Sequence, residues 1–331
     1  MAIKVLFIGG TGVISSGCVS LLQNTGIDLT LFNRGLTSSI RQVPADVKVI
    51  YGDIHNLEEI QSLLANHRFD VVVNWIAFYP QDIERDISLF QGKIGQYVFI
   101  SSASAYQKPI PYLPITEETP LGNPFWAYSQ SKQACEEALL KAHQETGFPV
   151  TIVRPSHTYD KTLLPFSGGF TTLGRMLAGK KVIIHGDGTS LWVMTHHRDF
   201  AKGFIGLLGR QKAIGEIYQI TSDEILTWNQ IFQYVADAAG VELFPVHVPS
   251  EVIAHFDPVW GASLLGDKSH SVIFDNSKIK TLVPDFKAEI PYRRGCQETV
   301  DWYLQNPEFQ KMNEAFSSLI DDLIGRVKRV Y

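Results

Sequence analysis

Residues 3–15, IKVLFIGGTGVIS, constrain this chain more than any other stretch. A short apolar, β-rich run ends directly in glycine. A helical pattern then starts at once over 12–24, with Val13, Val19, Leu21 and Leu22 available to pack inward. Gly9 and Gly12 sit at the junction. A turn this tight needs unusual backbone angles, which glycine adopts without steric cost. Bare backbone at a helix N-terminus also lets a pyrophosphate reach the N–H groups. Strand before and helix after is the context in which such a glycine pattern carries meaning. The third glycine position, which normally allows close helix–strand packing, is Ser15. Serine is small, so a slightly wider approach is expected, with binding retained.

The rhythm continues through the first half. IDLTLFN, VKVIYGD, FDVVVNWIA, QYVFISS and FPVTIVRP read as further strands. Helices are expected between them: NLEEIQSLLANH with Asn56 as N-cap, 81–90, and a long one over 128–146. Apolar strands alternating with helices indicate an α/β fold, a doubly wound parallel sheet covered on both faces, with ligands at the carboxyl ends of the strands. After Pro155 the pattern changes. TLLPFSGGF reads as a loop, TTLGRMLAGK as a short helix, VIIHGDGTSLWVM as two short strands around a Gly-Asp-Gly turn, and HRDFAKGFIGLLGR as a helix. Helices follow near 227–239, with Thr227 as a possible N-cap, and 292–305. The expected division is a dinucleotide-binding domain over 1–160, to which elements near 190–225 return, and a smaller substrate domain over most of 161–331.

A net charge of −5, a pI of 6.1 and the lack of any long basic block give no sign of a nucleic-acid partner. The closing GRVKRVY reads as a solvated helix end. Cys18, Cys135 and Cys296 are scattered, which speaks against a disulfide framework or a metal site and for a reducing cytoplasm. The N-terminus lacks the pattern of a signal peptide, and no run reaches membrane-span length. The composition, 45% hydrophobic and 19% charged, is enough for a sizeable core.

Two features bear on chemistry. The second strand ends in FNRGLTSS, without the acidic residue that grips a ribose 2′-hydroxyl. Asn33 does not repel a 2′-phosphate, Arg34 can pair with one, and Thr37, Ser38 and Ser39 can donate to it, so the pattern leans towards NADP. The alternative is Arg34 stacked on adenine with NAD. In AYSQSK, Tyr128 and Lys132 stand four apart and share one helix face. On spacing alone this reads as a packed tyrosine and a solvated lysine. Ser102, 26 residues before Tyr128, closes the fifth strand.

Taken in order, GGTGVIS, YGDI, NWIA, FISSASAY, YSQSK, VRPSHTYD, GDGTSLWVMTHHRDFA and DNSKIKTLVPDF make the chain resemble the extended short-chain dehydrogenases/reductases, which include the nucleotide-sugar epimerases and dehydratases. The resemblance implies a Rossmann-type sheet with a smaller C-terminal substrate domain. It implies Tyr128 as general acid/base, Lys132 as the ammonium that favours the phenolate and binds the nicotinamide ribose, and Ser102 as the group holding the substrate oxygen, with Ser104 as a second candidate for that contact. Ser129 and Ser131 then read as ordinary surface or cap residues. The nicotinamide dinucleotide, NAD or NADP, would lie along Gly9, Thr11, Gly12, Val13, Ile14, Asn33 and Arg34, with Asp53 and Ile54 at the adenine, Ala77 in the channel, and Pro155, Ser156 and His157 by the carboxamide. His157 is equally a packed histidine.

The chain departs from the resemblance in two places. Ala103 and Ser104 replace the Asp-Glu pair of dehydratases, which argues against that reaction. Trp192 stands where nucleotide-sugar enzymes carry a diphosphate-binding arginine. Its ring suits stacking on a sugar, or plain core filling. Arg175, Arg198 and Lys268 are possible replacements for the missing charge. The strand end LFNRG and the helix start THHRDFAKGF look like an atypical branch that includes chloroplast stem-loop RNA-binding proteins, some without the catalytic pair that this chain keeps. Three functions follow as expectations: an epimerase or oxidoreductase acting on a secondary hydroxyl of a sugar-like substrate, an NADP-dependent ketone or aldehyde reductase, and a non-catalytic RNA-binding or cofactor-sensing protein. The resemblance also implies a homodimer through the helices at 81–90 and 128–146.

Overall fold

A computed structural model describes residues 2–23, 25–35 and 40–327. Thr37, Ser38 and Ser39, named above for a 2′-phosphate, lie outside the described residues, as does the basic stretch after Val327. In chain order the first half runs β1 (Lys4–Ile8), α1 (Val13–Leu22), β2 (Asp28–Asn33), β3 (Lys48–Tyr51), α2 (Leu57–Leu64), β4 (Val71–Asn74), α3 (Pro80–Phe90), β5 (Gln96–Ile100), α4 (Ala127–Thr146) and β6 (Val150–Pro155). There follow β7 (His157–Tyr159), α5 (Phe170–Leu177), β8 (Val182–His185), β9 (Leu191–Trp192), β10 (Met194–His196), α6 (His197–Ile205), β11 (Ile217–Ile220), β12 (Leu226–Thr227), α7 (Trp228–Ala239) and β13 (Pro245–Val248). The last part holds α8 (Ser250–Phe256), α9 (Pro258–Ser263), a π-helical turn at Leu264–Lys268, α10 (Ser277–Leu282), α11 (Tyr292–Gln305) and α12 (Glu314–Val327). Among the described residues no helix is long and apolar enough to cross a membrane.

The main sheet has the order β3–β2–β1–β4–β5–β6–β11, and every pairing is parallel. Alternate residues feed two cores. Val5, Phe7, Val71, Val73 and Val98 pack with Cys18, Phe200 and Phe204 of α1 and α6, while Leu6, Ile8, Val72 and Phe99 pack with Ile83, Cys135 and Leu139 of α3 and α4. A strand buried on both faces needs the continuous apolar runs that the sequence shows. Strand order reverses between β1 and β4. The crevice at their carboxyl ends, bordered by Gly9 and by the turn Trp75–Ala77, is where such sheets bind ligands. A buried ion pair pins α4 to β6: both nitrogens of the Arg154 fork donate to the Glu136 carboxylate, at 2.9 and 2.6 Å.

The expected caps form. Asn56 accepts the Glu59 N–H, and Thr227 that of Gln230, at 3.2 Å each. Three details differ from the sequence reading. β11, not singled out as a strand, is the seventh strand of the main sheet. The strands on either side of the Gly-Asp-Gly turn do not pair with each other, because β8 joins β13 in parallel and β9 joins β12 antiparallel. This split carries Trp192 onto Trp228, with ring centroids 5.3 Å apart, in a second core made by the later elements.

The third difference concerns helix packing near the glycine turn. Ser15, at the position expected to govern the helix–strand approach, is 1% exposed with its hydroxyl folded into the turn. The close contact falls instead at Gly17, where an added Cβ would lie 2.6 Å from the His197 carbonyl oxygen at the start of α6. We expect Gly17→Ala to lower stability by about 1–2 kcal/mol in urea denaturation. The overpacking cost of about 1–3 kcal/mol outweighs the helix-propensity gain of about 1 kcal/mol. An unchanged midpoint would contradict this reading of the α1–α6 contact.

Candidate active site

Gly9 has φ +87°, the left-handed region that favours glycine, and its N–H donates to the Phe32 carbonyl at 3.1 Å. The Gly10 N–H donates to Asn33 Oδ1 at 3.0 Å. Ser15 Oγ accepts the Gly12 N–H at 2.8 Å and donates to the Gly9 carbonyl at 3.1 Å. Asn33 and Ser15 thus fix the turn from both sides. Asn33 therefore has a structural task as well as the absence of charge noted above, and no sequence signal marks it. The N-terminus of α1 faces a cleft of about 270 Å³ that Gly9, Thr11, Gly12, Asn33, Arg34 and Ile54 help to line. Val13 opens α1, and Ile14 reaches the neighbouring cavity. Asp53 does not line the cleft, and its carboxylate accepts the His55 N–H at 3.0 Å. Arg34 is exposed at the cleft, and a second arginine, Arg41, lines it too. Arg41 is held by Asp160 at 2.6 Å and by Thr162. No carboxylate lines this cleft among the described residues.

A second cavity, of about 390 Å³, opens at the carboxyl ends of β5 and β6. Ser102, Ser104, Tyr128, Lys132, Pro155, His157 and Trp192 all line it, so the residues drawn together by the sequence meet in one place. The strand ends supply Ser102 and Pro155, and the first two turns of α4 supply Tyr128 and Lys132. Lys132 is 2% exposed. Its amino group donates to the carbonyls of Ala77 and Ile100 at 2.7 and 2.8 Å and lies 4.5 Å from the Phe78 ring centroid. Ala77, fully buried, takes part through this carbonyl. Burial lowers Lys132 to about 8, against the nearby negative charges.

Burial raises the Tyr128 phenol above its ordinary value. A hydrogen bond with Ser102 pulls it back, and Asp267 pushes it up. The expected lowering by Lys132 is therefore not what dominates at this phenol: the amino group stands 5.9 Å from the ring centroid, with its protons directed at two carbonyls. Burial, then the Lys268 charge, bring His157 down to about 3, so its imidazole is neutral. Trp192 is 2% exposed and packed on Trp228, which leaves little face for stacking. The indole N–H groups of Trp75 and Trp192, both residues of this cavity wall, have no partner among the described residues.

Ser129, read as a surface or cap residue, is fully buried. Its hydroxyl donates to Ser104 Oγ at 2.8 Å, and Ser104 Oγ lies 2.9 Å from Ser102 Oγ. A chain of hydroxyls thus runs from inside α4 to Ser102, which shares the cavity wall with Tyr128. Only the docking of α4 on the 102–105 turn makes Ser129 internal, so spacing in sequence does not reveal it. Of the three cations proposed to replace an arginine at position 192, Arg175 is buried elsewhere on Ser317 and Asp321, and Arg198 is paired with Glu298 at 2.6 Å beside a different cleft. Lys268 lines the cavity.

The chain is 28% identical over 268 residues to the chloroplast stem-loop binding protein of 41 kDa b of Arabidopsis thaliana, covering 77% of this chain and 66% of that protein. It is 24% identical over 290 residues to the 2′-dehydrokanamycin reductase of Streptomyces kanamyceticus, covering 86% and 80%. It is also 31% identical over 168 residues to a UDP-glucose 4-epimerase of Lactobacillus helveticus, covering 46% and 50%. The chain thus spans about half to four fifths of these relatives' lengths. Among solved structures, the epimerase Mth375 of Methanothermobacter thermautotrophicus has the same fold, with a TM-score of 0.76 at 18% identity, over 93% of this chain and 94% of that one. The UDP-glucuronic acid 4-epimerase of Bacillus cereus, solved with UDP-glucuronic acid and NAD, gives 0.73 at 20%, over 92% and 99%. The model of the NAD dependent epimerase/dehydratase family matches residues 5–221, and the chain belongs to that family.

Proposed function

We propose that this protein is an NADP-preferring oxidoreductase that interconverts a ketone and a secondary alcohol on a sugar-like substrate, working mainly as a reductase. The observation that carries this is the convergence of Ser102, Tyr128 and Lys132 in one cavity beside the glycine turn. The residues present fit a nicotinamide dinucleotide. A left-handed glycine at a helix N-terminus suits a pyrophosphate, and a cleft with two arginines and, among the described residues, no lining carboxylate suits a 2′-phosphate. Bound there, the cofactor supplies the hydride.

Tyr128 moves the proton at the substrate oxygen. A phenol held above its ordinary value stays protonated at neutral pH, which suits donation to the oxygen of a ketone being reduced. Ser102 holds that oxygen, while Ser104 and Ser129 behind it fix the direction of its hydroxyl. In this reading Ser104 supports Ser102, and Trp192 contributes shape to the wall. The charge of Lys132 stabilises the phenolate left after proton transfer. A second reading, an epimerase that keeps its cofactor through the cycle, rests on the relatedness to UDP-glucose 4-epimerases, which covers 46% of this chain. The reductase relative covers 86%. An RNA-binding role gains nothing from a net charge of −5.

Tyr128→Phe should lower the rate by roughly 10² or more with cofactor affinity retained; unchanged turnover would reject the role. In the same assay, reductive kcat/KM should fall as the pH rises through about 8, where Lys132 loses its charge. Lys132→Met should lack that fall. Activity should depend on added NADPH, and Arg34→Leu should raise the KM for NADPH by about ten-fold while leaving that for NADH unchanged. Protein that turns over with cofactor carried from purification and needs none added would favour the epimerase. A homodimer through α3 and α4 belongs to the same reading. Their outward positions, including Gln81, Glu84, Gln130, Glu137 and Lys141, are polar, so the contact would be hydrogen-bonded. Sedimentation should show twice the chain mass, and a monomer would reject it.

A further inference from the structure

Lys268 closes the π-helical turn at Leu264–Lys268, a geometry rare in proteins and frequent at functional sites. Its backbone is fixed from three directions. The Lys268 carbonyl accepts from His185 Nε2 at 3.0 Å, Trp228 Nε1 at 3.1 Å and Ser190 Oγ at 3.2 Å. Two residues earlier, the Gly266 carbonyl accepts from Asn123 Nδ2 at 2.6 Å, and the same amide donates to the Ser104 carbonyl at 2.8 Å. Gly266 packs so tightly here that an added Cβ would lie 2.7 Å from Trp126 Cβ. The turn is therefore docked on the loop that carries the serine hydroxyls.

The Lys268 side chain enters the cavity over Trp126, 5.4 Å from its ring centroid, and that ring lies 5.0 Å from the ring of Tyr128. Lys268, Trp126 and Tyr128 thus line one cavity together with Ser102. Its electrostatic surroundings are unbalanced. Asp267 is the one carboxylate that lines the cavity among the described residues, and it faces a second cation, Lys108 Nζ, at 3.8 Å. Lys108 is 4% exposed, and its amino group has no hydrogen-bond partner among the described residues. Of the imidazoles nearby, burial and the Lys268 charge lower His157, and burial with the Lys108 charge lowers His270, so neither adds a formal charge near neutral pH. Burial lowers both Lys268 and Lys108 from their ordinary values and Asp267 opposes the shift, so two basic groups share one carboxylate in a largely desolvated wall, an arrangement that a bound anion compensates.

We infer that Lys268 is a specificity-determining residue that binds an anionic group, carboxylate or phosphate, carried on the substrate's sugar ring close to the reacting carbinol. The inference rests on the substrate pocket proposed above. It differs from a clamp for a distant diphosphate, because the charge stands beside Trp126 and Tyr128.

Calorimetric titration of the purified full chain with D-glucuronate, D-glucose 6-phosphate and D-glucose tests it. At least one anionic sugar should bind about ten-fold or more tighter than D-glucose, as expected for a hydrogen bond to a charged group. Which one does so separates carboxylate from phosphate. Lys268→Gln should abolish the difference and Lys268→Arg should keep it; if Lys268→Gln does not fold, Lys268→Met makes the same comparison. Tyr128→Phe should leave the preference intact, so loss of turnover and loss of anion binding are read separately. No preference for either anionic sugar, or a preference that survives removal of the Lys268 charge, overturns the inference.

Discussion

The site is organised around one buried cation. The Lys132 amino group lies beneath α4 with two of its protons on the carbonyls of Ala77 and Ile100, which follow β4 and end β5. An ammonium taken out of water must find acceptors or lose its proton. Here main-chain oxygens at two adjacent strand ends provide them, and three aromatic rings lie within 6 Å of the charge. The contact therefore holds the first two turns of α4 at the carboxyl edge of the sheet, and the position of Tyr128 follows from it. The Arg154–Glu136 pair repeats the constraint one turn further along, from β6. An isolated buried ion pair is weak support for stability, but it is effective at setting how two elements sit against each other.

The glycine turn obeys the same logic with neutral groups. Asn33 and Ser15 make hydrogen bonds to backbone that would otherwise be flexible, so the N-terminus of α1 is set before any anion arrives. Having no acid at the end of β2 changes the character of the cleft: Asn33 there orients the turn, and the arginines beside it are Arg34 and Arg41, the second paired with Asp160.

The sheet was legible in the sequence because its strands are buried on both faces and so read as continuous apolar runs, from Val71–Asn74 to Gln96–Ile100. β11 was harder to find. Its run Ile217–Ile220 contains Tyr218 and the buried Gln219, whose amide bonds the carbonyls of Ile115 and Asp275. A polar residue satisfied by distant partners looks like a loop residue until those partners are in place. Ser102, Tyr128 and Lys132 were visible through their spacing and order. Ser129, Asn123 and the fixing of Lys268 were not, since each depends on contacts between segments far apart in the chain.

That asymmetry has a physical reason. The region around the glycine turn is built from local units, strand–turn–helix, whose key residues sit at fixed offsets from a strand end. The wall of the second cavity is built from single contacts between loops: Asn123 joins the Ser104 carbonyl to the Gly266 carbonyl, and Lys268 is held by donors from β8, from the residue before β9 and from α7. Because the same amide touches both the serine turn and the π-helical turn, a change in the outer layer that moves Gly266 also moves the support of Ser102. The serine turn and the 264–268 turn are therefore coupled through Asn123, which is 3% exposed. An exchange of the 264–268 turn for another sequence must then preserve the Gly266 carbonyl and its close approach to Trp126, whatever side chain replaces Lys268.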